Sequence, residues 1–316
     1  MGGIRVEEGG KPPIAFTEGE TLATQKRTWL ILGLVLGLLA APVQAYTPKT
    51  LRVGFAPWES LQDLTKTSRD VVDLLSQEMP MRVEPFVATD YTGVIEAMRA
   101  GKIDVAFFPP AAYVLAERKA NAEVILKSFF NGHAQYHGAI ITRKDSKVKT
   151  LQDLKDKTVA FVDPVSTSGA IYPRVMLLNA GISPEKHFKR LIYAGGHDAA
   201  VLAVLHGKVD AAATYTNDPL GKDSAWNNSL PNPSDRAKIA LVAVTKPIPS
   251  DNIAIRKDLD PKIANQIKQI FLRLSETPEG RKKVREIYQV DGFVEGKPAD
   301  YAPVREAFDK VGFKLK

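Results

Sequence analysis

From Leu51 onward, short apolar runs alternate with stretches whose apolar residues recur every three to four positions. The runs "LRVGFA" (51–56), "RVEPFVA" (82–88), "IDVAFFP" (103–109) and "EVILKSFF" (123–130) predict strands. Between them, "LQDLTKTSRDVVDLLSQEM", "YTGVIEAMRAG" and "AAYVLAERKA" have helical period. A second series starts at Tyr136, with strands expected in "YHGAIITR", "TVAFVD", "RLIYAG" and "VDAAATY" and helices between them. Strands alternating with helices predict an α/β protein with mostly parallel sheets. Two stretches echo each other, "VIEAMRAGKIDVAFF" (94–108) and "VLAVLHGKVDAAATY" (201–215). Each reads as apolar helix, Gly-Lys, apolar residue, Asp, then strand, with the glycine ending the helix. One echo per series points to two similarly built lobes. "KIALVAVTKPIPSDNIAIR" (238–256) holds two apolar runs around a proline-rich crossing, and the segment 260–316 is almost wholly of helical period. A chain that returns to finish on its first lobe makes a two-lobed clamp: residues 46–134 with 252–316, and residues 135–251, with the cleft between them.

The N-terminal pattern is different. A basic pair, Lys26 and Arg27, precedes an apolar stretch from Trp29 to Ala41, and the small residues Val43 and Ala45 stand before Tyr46. This is the layout of a cleavable secretory signal, with an apolar core too short to span a bilayer comfortably. Residues 1–45 are therefore expected to be an extension plus signal peptide, and the mature chain to be soluble in the periplasm. No cysteine stands at the cleavage site to carry a lipid.

Composition narrows the function classes. The 316 residues contain no cysteine, so an exported chain must be held by core burial alone, and thiolate metal sites are excluded. The formal charge of +7 favours anions but is spread out, with no basic block interleaved with aromatics, so no nucleic-acid partner is expected. Enzyme signatures are missing: no phosphate-binding glycine loop, no H-E-x-x-H and no G-x-S-x-G. The five histidines lack metal-ligand spacing with carboxylates. The residues call for no catalysis, no metal and no cofactor.

What remains is "DPVSTSG" (163–169), at the point where a strand turns into a helix. Helix N-termini present unpaired N–H groups and partial positive charge, so Ser166, Thr167 and Ser168 could cradle an oxyanion. The plainer alternative is a helix cap with two spectator hydroxyls. Pro173 sets the start of the regular helix close to itself and leaves the hydroxyl run as a separate turn. "AGGHDAA" repeats the logic, with His197 opening a helix that should lower its pKa and leave it a neutral N–H donor.

These stretches, with "ATDYTG", "AQYHGA", "TYTNDPL" and "KPIPSDNIAIRKDL" in this order, resemble the phosphonate-binding periplasmic proteins of ABC importers, a branch that includes phosphite binders. The likeness runs from about Leu51 to Phe313. It implies a type II periplasmic-binding-protein fold, an inner-membrane permease as partner, and a monomer that binds without making or breaking bonds. It also implies that Ser166, Thr167, Ser168 and His197 hold the oxyanion and that Tyr91 and Tyr136 close over it. Asp218 and Asp251 correspond to the acids that hold the ammonium of aminoalkylphosphonates. Asp218 is one methylene shorter than the family's glutamate, and Asp251 has a second reading as a structural acceptor at the crossing. By the same likeness "GFAPWES" brings Trp58 and Glu59 near the cleft, Trp58 either shortening the pocket or packing the hinge. The alternatives are the same fold serving phosphate or a sulfonate, a soluble sensor subunit, or, less in keeping with the motifs, a hydrolase.

Overall fold

The computed structural model describes residues 45–312 together with Gly2. The extension and signal expected over 1–45 therefore lie, apart from Gly2 and Ala45, outside the described residues, as does 313–316.

Twelve strands form two sheets among the described residues. The first contains β1 (Thr50–Phe55), β2 (Arg82–Val87), β3 (Val105–Phe108) and β4 (Ala122–Phe129). The second contains β5 (Gln135–Arg143), β6 (Thr158–Phe161), β7 (Arg190–Tyr193), β8 (Ala211–Thr216), β9 (Ile239–Val244) and β10 (Ile248–Pro249). The chain then returns to the first sheet with β11 (Asn252–Arg256) and β12 (Gly292–Glu295). The first sheet runs β12-β4-β11-β3-β1-β2; the second runs β10-β5-β8-β6-β7, with β9 also on β5. The chain leaves the first sheet after Phe129 and re-enters it at Asn252.

The α/β architecture matches the sequence pattern, but the sheets are mixed rather than mostly parallel. β2-β1-β3 and β7-β6-β8 are parallel, whereas β11 runs antiparallel to both β3 and β4. The reason is topological: β11 arrives from the other lobe and not through a crossover helix, so nothing obliges it to run with its neighbours.

Both faces of each sheet are covered, which is why the strands read as near-continuous apolar runs. In β3, Val105 and Phe107 join one core cluster while Ala106 and Phe108 join the other. Phe107 stacks on Phe55 with ring centroids 5.1 Å apart and meets Phe271 and Phe293 edge-on. β6 divides likewise, with Ala160 on one face and Val159 and Phe161 on the other.

The repeated Gly-Lys-apolar-Asp junction has a physical content. Gly101 and Gly207 both take left-handed backbone, at φ 67° and 65°, ending the helices Tyr91–Arg99 and His197–Leu205. The aspartate that follows then ties the turn to the parallel neighbour of the strand it opens, β1 beside β3 and β6 beside β8. Asp104 accepts from the Arg52 amide at 2.9 Å and returns its own N–H to the Arg52 carbonyl. Asp210 does the same with Thr158, at 2.8 and 2.9 Å.

The C-terminal segment departs from its all-helical expectation. Helices Pro261–Glu276, Pro278–Tyr288 and Ala302–Val311 are interrupted by β12, which pairs antiparallel with β4 and buries Phe293. Four residues are too few to show a period, so the strand is set by the open edge of β4.

Candidate ligand-binding site

The two lobes face each other across a cavity of about 120 Å³. Its floor is the turn after β6. Asp163 shapes this turn by accepting from the Val165 amide at 2.7 Å with its carboxylate and from the Ser166 amide at 2.9 Å with its carbonyl. Ser166 then caps the next segment, its hydroxyl accepting from the Gly169 amide at 3.1 Å. Thr167–Ile171 is a π-helical turn, in which the Ile171 amide reaches back five residues to the Ser166 carbonyl at 3.0 Å. The regular helix begins at Tyr172, one residue before Pro173. Capping and cradle are thus not exclusive: one hydroxyl caps, and Ser166, Thr167 and Ser168 all line the cavity while buried.

Thr167 does more. Its hydroxyl accepts a 2.8 Å bond from the amide of Ala111, in the first turn of helix Pro110–Ala120 on the other lobe. That helix begins Pro109-Pro110 and has no side-chain cap of its own, so its N-terminus is capped across the cleft. A second crossing bond runs from the His197 amide to the Trp58 carbonyl at 3.1 Å, and a third, longer one from Asn228 Nδ2 to Gln289 Oε1 at 3.4 Å.

His197 opens its helix, and its Nδ1 lies 2.9 Å from the Thr214 hydroxyl. Nε2 is then the ring nitrogen left for the cavity. Burial lowers its pKa to about 3, so the ring is neutral; desolvation is the cause, where the sequence had suggested the helix terminus. Tyr91 and Tyr136 face the hydroxyl run, Tyr91 towards Ser166 and Tyr136 towards Ser168 and Thr167. Burial holds both phenols well above their usual pKa, so both stay protonated donors. Trp58 lines the cavity and also packs edge-on against Tyr288, at 5.4 Å between ring centroids.

The carboxylates divide. Asp251 lines the cavity, half-buried, with desolvation raising its pKa to about 7 against an opposing hydrogen bond from Tyr136. Its backbone carbonyl accepts from Ser128, while its Oδ1 has no partner among the described residues. Asp218 does not line the cavity. Its two oxygens accept from the amides of Leu220 and Asp223, at 2.8 and 2.7 Å, and so hold its own loop closed. Asn217, its neighbour, faces the cavity instead.

Residues 53–301 match the family model for the periplasmic substrate-binding protein of phosphonate ABC transporters. The chain belongs to this family. It is 30% identical over 250 residues to the phosphonates-binding periplasmic protein of Escherichia coli K12, covering 77% of this chain and 72% of that one. It is 28% identical over 293 residues to the phosphate-import protein PhnD of Mycolicibacterium smegmatis, covering 84% and 87%. Among solved structures, the binding component of a Pseudomonas aeruginosa ABC phosphonate transporter superposes with a TM-score of 0.75 at 25% identity, covering 84% and 87%. The fold is the type II periplasmic-binding-protein fold, and the chain is the periplasmic solute-binding component of an ABC importer.

In this phosphonate-binding protein, motif reasoning did not reach several lining residues. Ser128, Asn228, Tyr288 and Gln289 come from strand ends and helix ends that carry no motif, whereas Tyr215 and Ser250 lie within "TYTNDPL" and "KPIPSDNIAIRKDL" but were not singled out there. Gln289 left one trace: it ends its helix in left-handed backbone, φ 58°, its N–H bonded to the Arg285 carbonyl, an unusual choice where glycine is common. No lysine or arginine is among the residues lining the cavity. Any anion here is held by neutral donors and backbone dipoles.

Proposed function

We propose that this cavity captures a phosphonate-type oxyanion, phosphonate or phosphite, and that the lobes hinge shut on it at the two crossings. The observation that carries the reading is the convergence of three buried hydroxyls, Ser166 to Ser168, with neutral His197 and two protonated tyrosines, in a cavity lined by no lysine or arginine. A tetrahedral anion takes many short hydrogen bonds, and neutral donors supply them without a fixed counter-charge that would also hold chloride or carboxylates. The cavity is far larger than one water needs, yet small enough to favour an oxyanion with a short substituent. Asp251, with one oxygen free of partners, is the acceptor for an ammonium or a protonated ligand oxygen. Asp218 is assigned to the loop and Asn217 to the ligand. The clamp is formed by 46–134 with 252–316 against 135–251. The chain acts as an exported monomer after cleavage before Tyr46, and it delivers its ligand to the permease unchanged.

Calorimetric titration of Tyr46–Lys316 against phosphite, methylphosphonate, 2-aminoethylphosphonate, phosphate and sulfate tests this. The expected result is micromolar or tighter binding of a phosphonate or phosphite and at least about tenfold weaker binding of sulfate, a difference of roughly 1.4 kcal/mol. If the amino compound is preferred, Asp251→Asn removes the preference and Asp218→Asn leaves it in place. Tightest binding to sulfate, or silence across the panel, would sink the reading.

A further inference from the structure

Glu59 belongs to none of the hydroxyl, histidine or tyrosine groups above, yet it lines the same cavity. It stands two residues before the helix Leu61–Glu78, beside the seam where the Trp58 carbonyl meets the His197 amide of the other lobe. Gln289 Nε2 donates to its Oε1 at 3.2 Å, and the Trp58 side chain also hydrogen-bonds to it. The other groups around it are acidic or neutral. Asp63 lies in the first turn of its own helix, and Asp198 in the first turn of helix His197–Leu205 across the seam. Tyr91, Tyr215 and Tyr288 face it from three further elements, all protonated, and His197 is neutral. A cavity that takes an anion, is lined by no lysine or arginine, and contains two carboxyl groups has an electrostatic conflict.

We propose that Glu59 resolves this conflict by entering the closed cavity as the neutral acid, so that ligand capture takes up a proton from solution and Glu59 presents an O–H rather than a charge to the ligand. The inference rests on the reading of the cavity as the anion site. Closing the seam is the step that buries Glu59 and brings Asp198 towards it, so the proton is taken up on closure. Burial first, then Asp63 and Asp198, raise its pKa from 4.5 to about 7 in the closed form. The closed form therefore holds the extra proton between those values, and closure weakens as pH rises through that window and levels off above it.

The test is titration with methylphosphonate at pH 6.5 in buffers of different ionisation enthalpy, for the wild type and Glu59→Gln. Comparing the two cancels the ligand's own titration. The expected result is that the wild type takes up on the order of half to one proton more than Glu59→Gln. The affinity of the wild type relative to the variant then falls by up to roughly 300-fold between about pH 4.5 and 7, the limit set by the two pKa values. Equal proton uptake in a Glu59→Gln protein that still binds would overturn the proposal. Should that variant lose binding altogether, Asp198→Asn, outside the cavity lining, must shift the pH at which affinity breaks to lower values, and an unmoved break overturns it as well. A wild type that binds none of the panel anions refutes instead the reading of the cavity, and this inference falls with it.

Discussion

Replacing Thr167 by valine removes one hydroxyl and keeps the shape of the side chain. In the closed protein that hydroxyl accepts from the Ala111 amide at 2.8 Å, and both residues are fully buried. With valine the Ala111 N–H has no acceptor in the closed form, whereas in an open form it is free to meet water. Leaving a buried donor unsatisfied costs about 1–3 kcal/mol. Only the closed state bears that cost, so ligand affinity should fall by roughly 5- to 150-fold, at about 1.4 kcal/mol per decade. Any lost contact between the hydroxyl and the ligand adds to this. The loss should appear in the dissociation rate, because the docking of an anion into the open cleft does not depend on the cross-lobe bond. Stopped-flow measurement on Thr167→Val, with Thr167→Ser as the variant that keeps the hydroxyl, separates these terms. Serine should stay within a few-fold of wild type. A valine variant that binds within twofold of wild type, or that loses affinity only through its association rate, refutes the claim that Thr167 holds the lobes together.

Two further expectations follow from the same geometry. A Cβ added at Gly169 would lie 2.4 Å from Val162 Cγ2 and 2.9 Å from the Ser166 hydroxyl. Gly169→Ala should therefore cost about 1–3 kcal/mol of stability by overpacking and displace the cap, lowering the melting temperature and weakening anion binding at least about tenfold; an unchanged melt would contradict it. His197 should show flat ring chemical shifts between pH 5 and 8 by NMR. Because its folded pKa lies near 3 and its ordinary value is 6.5, the folded state binds fewer protons in that interval, and stability falls as pH drops from 6.5 towards 3. A His197 resonance titrating near 6.5 would show that the ring is not buried as described.

The amino-acid sequence by itself determined most of the segments that become strands and helices, because short apolar runs and an apolar period of about 3.6 are local properties of the chain. It also determined the hydroxyl turn, through Pro173 and the run Ser166–Ser168, and the glycine-and-aspartate junctions at 101–104 and 207–210. The same pattern could not reveal β12, whose four residues are a strand only because β4 offers an unpaired edge. Nor could it give the direction of β11, which depends on where the returning chain enters the sheet. The site divided along the same line. Tyr91, Tyr136, Ser166, Thr167, Ser168, His197 and Asp251 sit in recognisable stretches and line one cavity. Asp218 sits in such a stretch too, but two backbone amides of its own loop claim its carboxylate, and short-range hydrogen bonds of that kind carry no mark in the sequence. Glu59 and Gln289 meet from positions 230 residues apart, and Thr167 caps a helix 56 residues upstream. Only tertiary packing decides such pairs, because what selects them is the burial that distant segments impose on each other, within one lobe for Glu59 and Gln289 and across the cleft for Thr167 and Ala111.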